Sequence, residues 1–181
     1  DPAGLAVNPA GTRVYVTNRG GNNVTVIDTT NNSVVTTVPV GLEPLGVAVN
    51  PAGTRVYVAN NSNLSTSVTV IDASNNSVLT TVTVGANPNG VAVNPAGTRA
   101  YVTNLGSNSV SVIDTTNNGV VATVPVGSLP QGISVNPAGT RVYVANYASN
   151  NVSVIDAASN GVLATVTVGT NPSAMGPLIG Q

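Results

Sequence analysis

Apolar and polar residues alternate along most of the chain in short runs, and the runs recur in a fixed order. In Thr12-Arg13-Val14-Tyr15-Val16-Thr17, Val14 and Val16 fall on one side while Arg13, Tyr15 and Thr17 fall on the other. A period of two is the signature of a β-strand. Before it, the run Gly4-Leu5-Ala6-Val7 ends at Asn8-Pro9-Ala10-Gly11, where Pro at the second turn position and Gly at the fourth predict a type I turn. After it, a Gly/Asn stretch returns the chain into Val24-Thr25-Val26-Ile27-Asp28, and Thr29-Thr30-Asn31-Asn32 leads to a fourth run, Val34 to Val40. Four strands joined by short turns make an antiparallel meander, and no helical periodicity interrupts them.

The unit repeats. Asn-Pro-Ala-Gly-Thr-Arg begins at Asn8, Asn50, Asn94 and Asn136, at offsets of 42, 44 and 42 residues, a spacing that reads as a propeller blade or a solenoid turn. Both faces of each meander are apolar or small, which suits sheets covered on both sides by neighbouring sheets. Stacking them radially around an axis satisfies this. The fold class expected is therefore all-β: a β-propeller of four-stranded antiparallel blades, four in this chain. The run containing Leu5 to Val7, and its copies Val47 to Val49, Val91 to Val93 and Ile133 to Val135, is expected innermost, because small residues fit the crowded axis. Asn118-Gly119 and Asn160-Gly161 are the strongest short hairpin signals in the chain.

Arg13 and Asp28 lie at mirrored ends of the second and third strands, as do Arg55 and Asp72, Arg99 and Asp114, and Arg141 and Asp156. Their separation is 15 residues in three copies and 17 in the copy whose intervening loop is two residues longer, so the insertion belongs to the hairpin tip. These residues are expected to form cross-strand pairs with a structural role.

Tyr15-Val16-Thr17-Asn18, Tyr57-Val58-Ala59-Asn60, Tyr101-Val102-Thr103-Asn104 and Tyr143-Val144-Ala145-Asn146, each followed by Ser/Thr-Val-Ile-Asp, resemble the YVTN family of β-propeller repeats. The resemblance covers essentially the whole chain and implies a cell-surface or surface-layer protein, usually closed by seven blades. One departure is the turn, which reads Pro-Ala-Gly where the family often has Pro-Asp-Gly. Residues 1–181 are read as one propeller domain, with blades at about 1–41, 42–85, 86–127 and 128–169. The tail, 170–181, resembles the start of a further innermost strand. Three closures are open: a four-bladed ring, two chains sharing an eight-bladed ring, or part of a longer propeller. The first is favoured, because the chain already starts with an innermost strand.

Composition narrows the chemistry. Charged residues are 6% of the 181, the net charge is -1, and there is no Cys, His, Lys, Trp or Phe. Nucleic-acid binding, which needs clustered cations, is not expected, nor is membrane insertion, since the apolar runs are short. Without His or Cys there is no imidazole or thiolate for a hydrolase triad or for zinc, haem or copper. One Asp per blade is far from a calcium site, and Glu43 is the only Glu. No metal, cofactor or enzymatic activity is expected. The Asp1 start, without an initiator Met, fits a processed chain or a fragment.

Comparing the four copies, the rim carrying the hexapeptides is nearly invariant, whereas the opposite rim holds almost all the variation. Variation confined to one rim is what a binding surface on a rigid frame looks like. Candidate partner-binding residues there are Arg19, Glu43, Leu64, Leu105, Leu129 and Tyr147. The function expected is a non-enzymatic extracellular or cell-surface structural protein, a repeat scaffold that associates with itself or with other surface proteins in a layer, filament or coat. The alternative is a recognition module that binds a glycan or protein through the variable rim.

Overall fold

The computed structural model describes residues 1–63 and 65–173. Among these it holds sixteen strands in four antiparallel sheets, each a meander in chain order. Blade 1 comprises β1 (Pro2–Val7), β2 (Arg13–Asn18), β3 (Asn23–Asp28) and β4 (Ser33–Pro39). Blade 2 comprises β5 (Pro44–Val49), β6 (Arg55–Asn60), β7 (Ser67–Asp72) and β8 (Ser77–Thr83). Blade 3 has β9 (Pro88–Val93), β10 (Arg99–Asn104), β11 (Ser109–Asp114) and β12 (Gly119–Pro125). Blade 4 has β13 (Pro130–Val135), β14 (Arg141–Asn146), β15 (Asn151–Asp156) and β16 (Val162–Thr167). Apart from a short 3-10 turn at Arg19–Gly21, the described residues contain no helix. Among them, no helix is long and apolar enough to cross a membrane.

The hexapeptide turn is built by its Asn. The Asn8 side-chain oxygen accepts from the backbone N–H of Thr12 and Arg13 at 2.8 and 2.9 Å, and the Gly11 N–H donates to the Asn8 carbonyl. Gly11 sits at φ 68°, a left-handed conformation that glycine adopts without steric cost. The same bonds recur at Asn50, Asn94 and Asn136. The last turn of each blade departs from the two-residue hairpin that Asn-Gly suggests. Asp114 pairs with Gly119 across a four-residue loop, and Asn118 alone takes a positive φ, 57°, while Gly119 does not. Asn32 and Asn76 do the same work ahead of Ser33 and Ser77, so the glycine is dispensable there.

Each sheet has a forward face, toward the next blade, and a rear face. Tyr15, Val24, Val26 and Val38 on the forward face of blade 1 pack with Val47, Val56, Val58 and Ile71 on the rear face of blade 2. Tyr57, Val68, Val70 and Val82 meet Ala100, Val102 and Ile113 in the same way. Tyr101, Val110, Val112 and Val124 meet Ile133, Val142, Val144 and Ile155. The core is thus three junctions of one design rather than one central cluster. Burial raises the phenol pKa of Tyr15, Tyr57 and Tyr101.

β1, β5, β9 and β13 pack side by side as the inner strands. Their closeness depends on glycine: a Cβ on Gly4, Gly46 or Gly90 would lie 2.1, 2.2 or 2.4 Å from the backbone oxygen of Leu45, Asn89 or Gln131 in the next inner strand. The favoured four-bladed ring is corrected here. Among the described residues, no comparable packing joins β13 to β1, and nothing covers the two end faces. Leu5 is 57% exposed where its counterpart Val47 is 7% exposed. The four blades form an open arc because the curvature set by each junction does not bring the fourth blade back to the first.

Candidate functional site

The two rims are built differently. At the hexapeptide rim, each Arg faces its Asp in register, Arg13 opposite Asp28, Arg55 opposite Asp72, Arg99 opposite Asp114 and Arg141 opposite Asp156. The guanidinium-to-carboxylate distances are 2.7, 3.1, 2.6 and 2.7 Å. The other oxygen of each carboxylate holds the following turn, accepting from the N–H of Thr30, Ser74, Thr116 or Ala158. All four carboxyls are held below the usual value. In the first three the cause is chiefly the turn hydroxyl and N–H, with Arg second; in Asp156 it is chiefly the Ser159 N–H. These Asp residues are fixed acceptors rather than free bases.

At the variable rim, the loop leaving the second strand is tied to the segment entering an inner strand. The N–H of Arg19, Asn61, Leu105 and Tyr147 donates to the carbonyl of Asp1, Glu43, Asn87 and Leu129 respectively. Glu43, Asn87, Leu129 and Asn171, each just before a proline, all take positive φ between 49 and 54°. For Leu129 and Glu43, which have a full side chain, that conformation costs about 1 to 2 kcal/mol. It is held by a side chain that the sequence reasoning missed. Asn22, Asn108 and Asn150 accept from the N–H of Glu43, Leu129 and Asn171 at 2.9, 2.9 and 2.8 Å. Their recurrence four residues after Asn18, Asn104 and Asn146 was the available signal.

The five described candidate binding residues are spread over the blades of the rim. Arg19 and Glu43 form an exposed ion pair, 2.8 Å, that clips blade 1 to blade 2. Leu105 and Tyr147 are half-buried, each tied within its own blade, and Leu129 is exposed. Leu64 lies outside the described residues, as does the tail beyond Ser173. Asn60, which opens the Asn-x-Ser glycosylation sequence Asn60-Asn61-Ser62, is wholly buried, with its amide donating to Ser67 and Thr69, so it cannot accept a glycan.

Two hollows open at the hexapeptide side. One, about 440 Å³, runs along the inner strands and is lined by Val7, Val49, Val93, Val135 and the hexapeptide prolines Pro51, Pro95 and Pro137, with no titratable side chain. The other, about 610 Å³, lies between blades 3 and 4 beside Arg99, Tyr101, Arg141 and Asp156. Among the described residues, no cluster of three or more His, Cys, Asp or Glu could hold a metal ion.

Comparison with known proteins agrees with this architecture. The chain is similar to Kuenenia stuttgartiensis hydrazine synthase, at 29% identity and a TM-score of 0.86, covering 92% of this chain and 49% of that one. It also resembles a functionally unknown protein from Desulfotomaculum acetoxidans, at 17% identity and a TM-score of 0.78, covering 96% and 59%. It spans less than two thirds of either chain, and the second likeness is one of fold alone. No curated protein matches the sequence. The family model described as "Lactonase, 7-bladed beta-propeller" matches residues 1–83 and 71–177. With its four repeated sheets, the chain is a β-propeller repeat protein and belongs to that family.

Proposed function

We propose that the chain is a non-enzymatic structural scaffold of the cell surface or extracellular space, and that it assembles with copies of itself. One observation carries this reading: the residues able to do chemistry are consumed by the frame. Each repeat Asp is engaged by an Arg and by its own turn, each hexapeptide Asn caps a turn, and Glu43 is paired with Arg19. The surface setting rests on the YVTN-type repeats. Examination of native material by electron microscopy should find it polymeric. A monodisperse monomer at high concentration would remove the assembly part of the reading.

The family name raises a competing activity, opening of a cyclic ester. That reaction needs water activated by a base or a Lewis acid, and the axial hollow offers neither among its lining side chains. A panel of lactones should therefore be hydrolysed no faster than in buffer. Turnover that disappears in Glu43→Gln would overturn the non-enzymatic reading.

A second reading is favoured by the strained rim. Leu129 is held exposed in a left-handed conformation, two junctions from the Arg19 and Glu43 pair, and its carbonyl accepts from the N–H of half-buried Tyr147. In this reading the rim recognises a glycan or protein. Changing Arg19 and Tyr147 to Ala would abolish binding without lowering Tm, and a glycan array with no hits would end its carbohydrate form.

A further inference from the structure

We propose that the hollow between blades 3 and 4 at the hexapeptide rim binds a small organic carboxylate, held by the free guanidinium edges of Arg99 and Arg141 and by the hydroxyl of Tyr101. The site is independent of the variable rim and of self-assembly. Its walls belong to an internal junction: Thr98, Arg99 and Tyr101 come from blade 3, and Thr140, Arg141 and Asp156 from blade 4. At about 610 Å³ the hollow has the size of a small-molecule site. Tyr101 has no exposure, and its hydroxyl is buried without a hydrogen-bond partner. Native folds rarely leave such a group unpaired, because its desolvation is then uncompensated. Burial raises the phenol pKa and the Arg99 charge partly offsets the rise, so the ring tip lies within the field of that guanidinium.

The wall has donors to spare and its side-chain acceptors are filled. Nη1 of Arg99 donates to the Thr98 carbonyl and to Asp114, and Nη1 of Arg141 donates to the Thr140 carbonyl and to Asp156. The Nε and Nη2 edge of each arginine, a planar fork that matches a carboxylate, has no partner among the described residues. The Thr98 and Thr140 hydroxyls accept from the amides of Asn94 and Asn136, at 3.0 and 3.1 Å, so their own protons are left to donate. Asn94 Oδ1, in contrast, already takes the N–H of Thr98 and Arg99. Asp156 takes Arg141 on one oxygen and the N–H groups of Ala158 and Ser159 on the other. A ligand here must bring acceptors. Arg99, Arg141 and Asp156 line the hollow while Asp114 does not, which leaves one net positive charge facing it, and a single carboxylate balances that charge. The preceding junction has the same buried, unpaired hydroxyl at Tyr57, but there Thr115 and Thr116 donate to the Gly97 carbonyl and to Asp114. Blade 4 has Ala157 and Ala158 in their place, and the smaller side chains leave more room.

Titration of the isotope-labelled 181-residue chain with galacturonate, followed by NMR at the side-chain Nε–H groups of its five arginines, tests the site. The Arg99 and Arg141 signals should shift and saturate together, while those of Arg13 and Arg19 stay in place. Galactose, the neutral counterpart, should shift none of them. Tyr101→Phe removes only the unpaired hydroxyl, so Tm should not fall, yet galacturonate should bind about tenfold more weakly, as expected for one lost hydrogen bond to a charged group. Tyr57→Phe, the same change one junction away, should leave binding unaltered. Ala157→Thr combined with Ala158→Thr gives blade 4 the pair that blade 3 carries, and should weaken binding by narrowing the hollow without touching Tyr101. Absence of a saturable shift at Arg99 and Arg141, equal shifts at all the arginines, or full affinity in Tyr101→Phe would overturn the site. Saturation by inorganic phosphate with none by galacturonate would overturn its assignment to a carboxylate.

Discussion

Blades 3 and 4 carry nearly the same motif and have different surroundings. Tyr101 and Tyr143 stand at the same place in Tyr-Val-Thr-Asn and Tyr-Val-Ala-Asn, with Val112 and Val154 opposite them. Yet Tyr101 has no exposure, while Tyr143 keeps more than a third of its surface. β12 retains a buried Val124, whereas every residue of β16 is exposed. Burial in this protein is thus a property of the junction rather than of the motif. An identical side chain stabilises the fold only when a neighbouring sheet covers it.

The sharpest way to break that comparison is to truncate both rings. Tyr101→Ala should cost about 3 to 5 kcal/mol in denaturant unfolding, as large core deletions do. Tyr143→Ala, in dilute unassociated chain, should cost less than about 1 kcal/mol; similar losses at the two sites would mean that the open face is covered. Next in size is Gly90→Ala. Its Cβ would meet the Gln131 carbonyl at 2.4 Å, so the inner strands of blades 3 and 4 must separate, at about 1 to 3 kcal/mol. Gly169→Ala, exposed and with nothing within 4 Å, should leave Tm unchanged.

Turn residues should not distinguish the blades. Asn94→Ala and Asn136→Ala each remove two side-chain acceptor bonds to backbone N–H groups, and each should cost about 1 to 2 kcal/mol. A clear difference between them would tie the turn to its neighbour and blur the contrast drawn above. The smallest effect is acid sensitivity. The carboxyls of Asp114 and Asp156 have folded pKa values below the ordinary 3.8, so their contribution is present above that value and is lost as pH falls below it through the lowered pKa. Tm measured from pH 5 downward should fall in the wild type, and should fall less in Asp114→Asn and Asp156→Asn alike.

Much of the frame was legible because its determinants are local. The Asn-Pro-Ala-Gly turn needs only its own residues. The Arg/Asp register followed from equal spacing on either side of one hairpin, including the copy with the longer tip. The last turn was half legible: Asn-Gly pointed to a two-residue hairpin, but Asn118 supplies the left-handed residue of a four-residue loop. The rim was less legible, because Arg19 and Glu43 are 24 residues apart and belong to different blades. Treating them as separate contact residues overlooked that opposite charges at one junction pair first with each other.

The sequence by itself determined the repeat, the strands, the turn chemistry, the cross-strand pairs and the absence of imidazole and thiolate. Each of these depends on residues within one blade or on composition alone. Only the tertiary structure decided that the four blades form an open arc, which residues of equal motif are buried, and where the rim side chains meet. Those outcomes depend on the rotation from sheet to sheet, which is fixed by packing across the junctions at Gly4, Gly46 and Gly90 and accumulates along the chain. No single repeat encodes that sum.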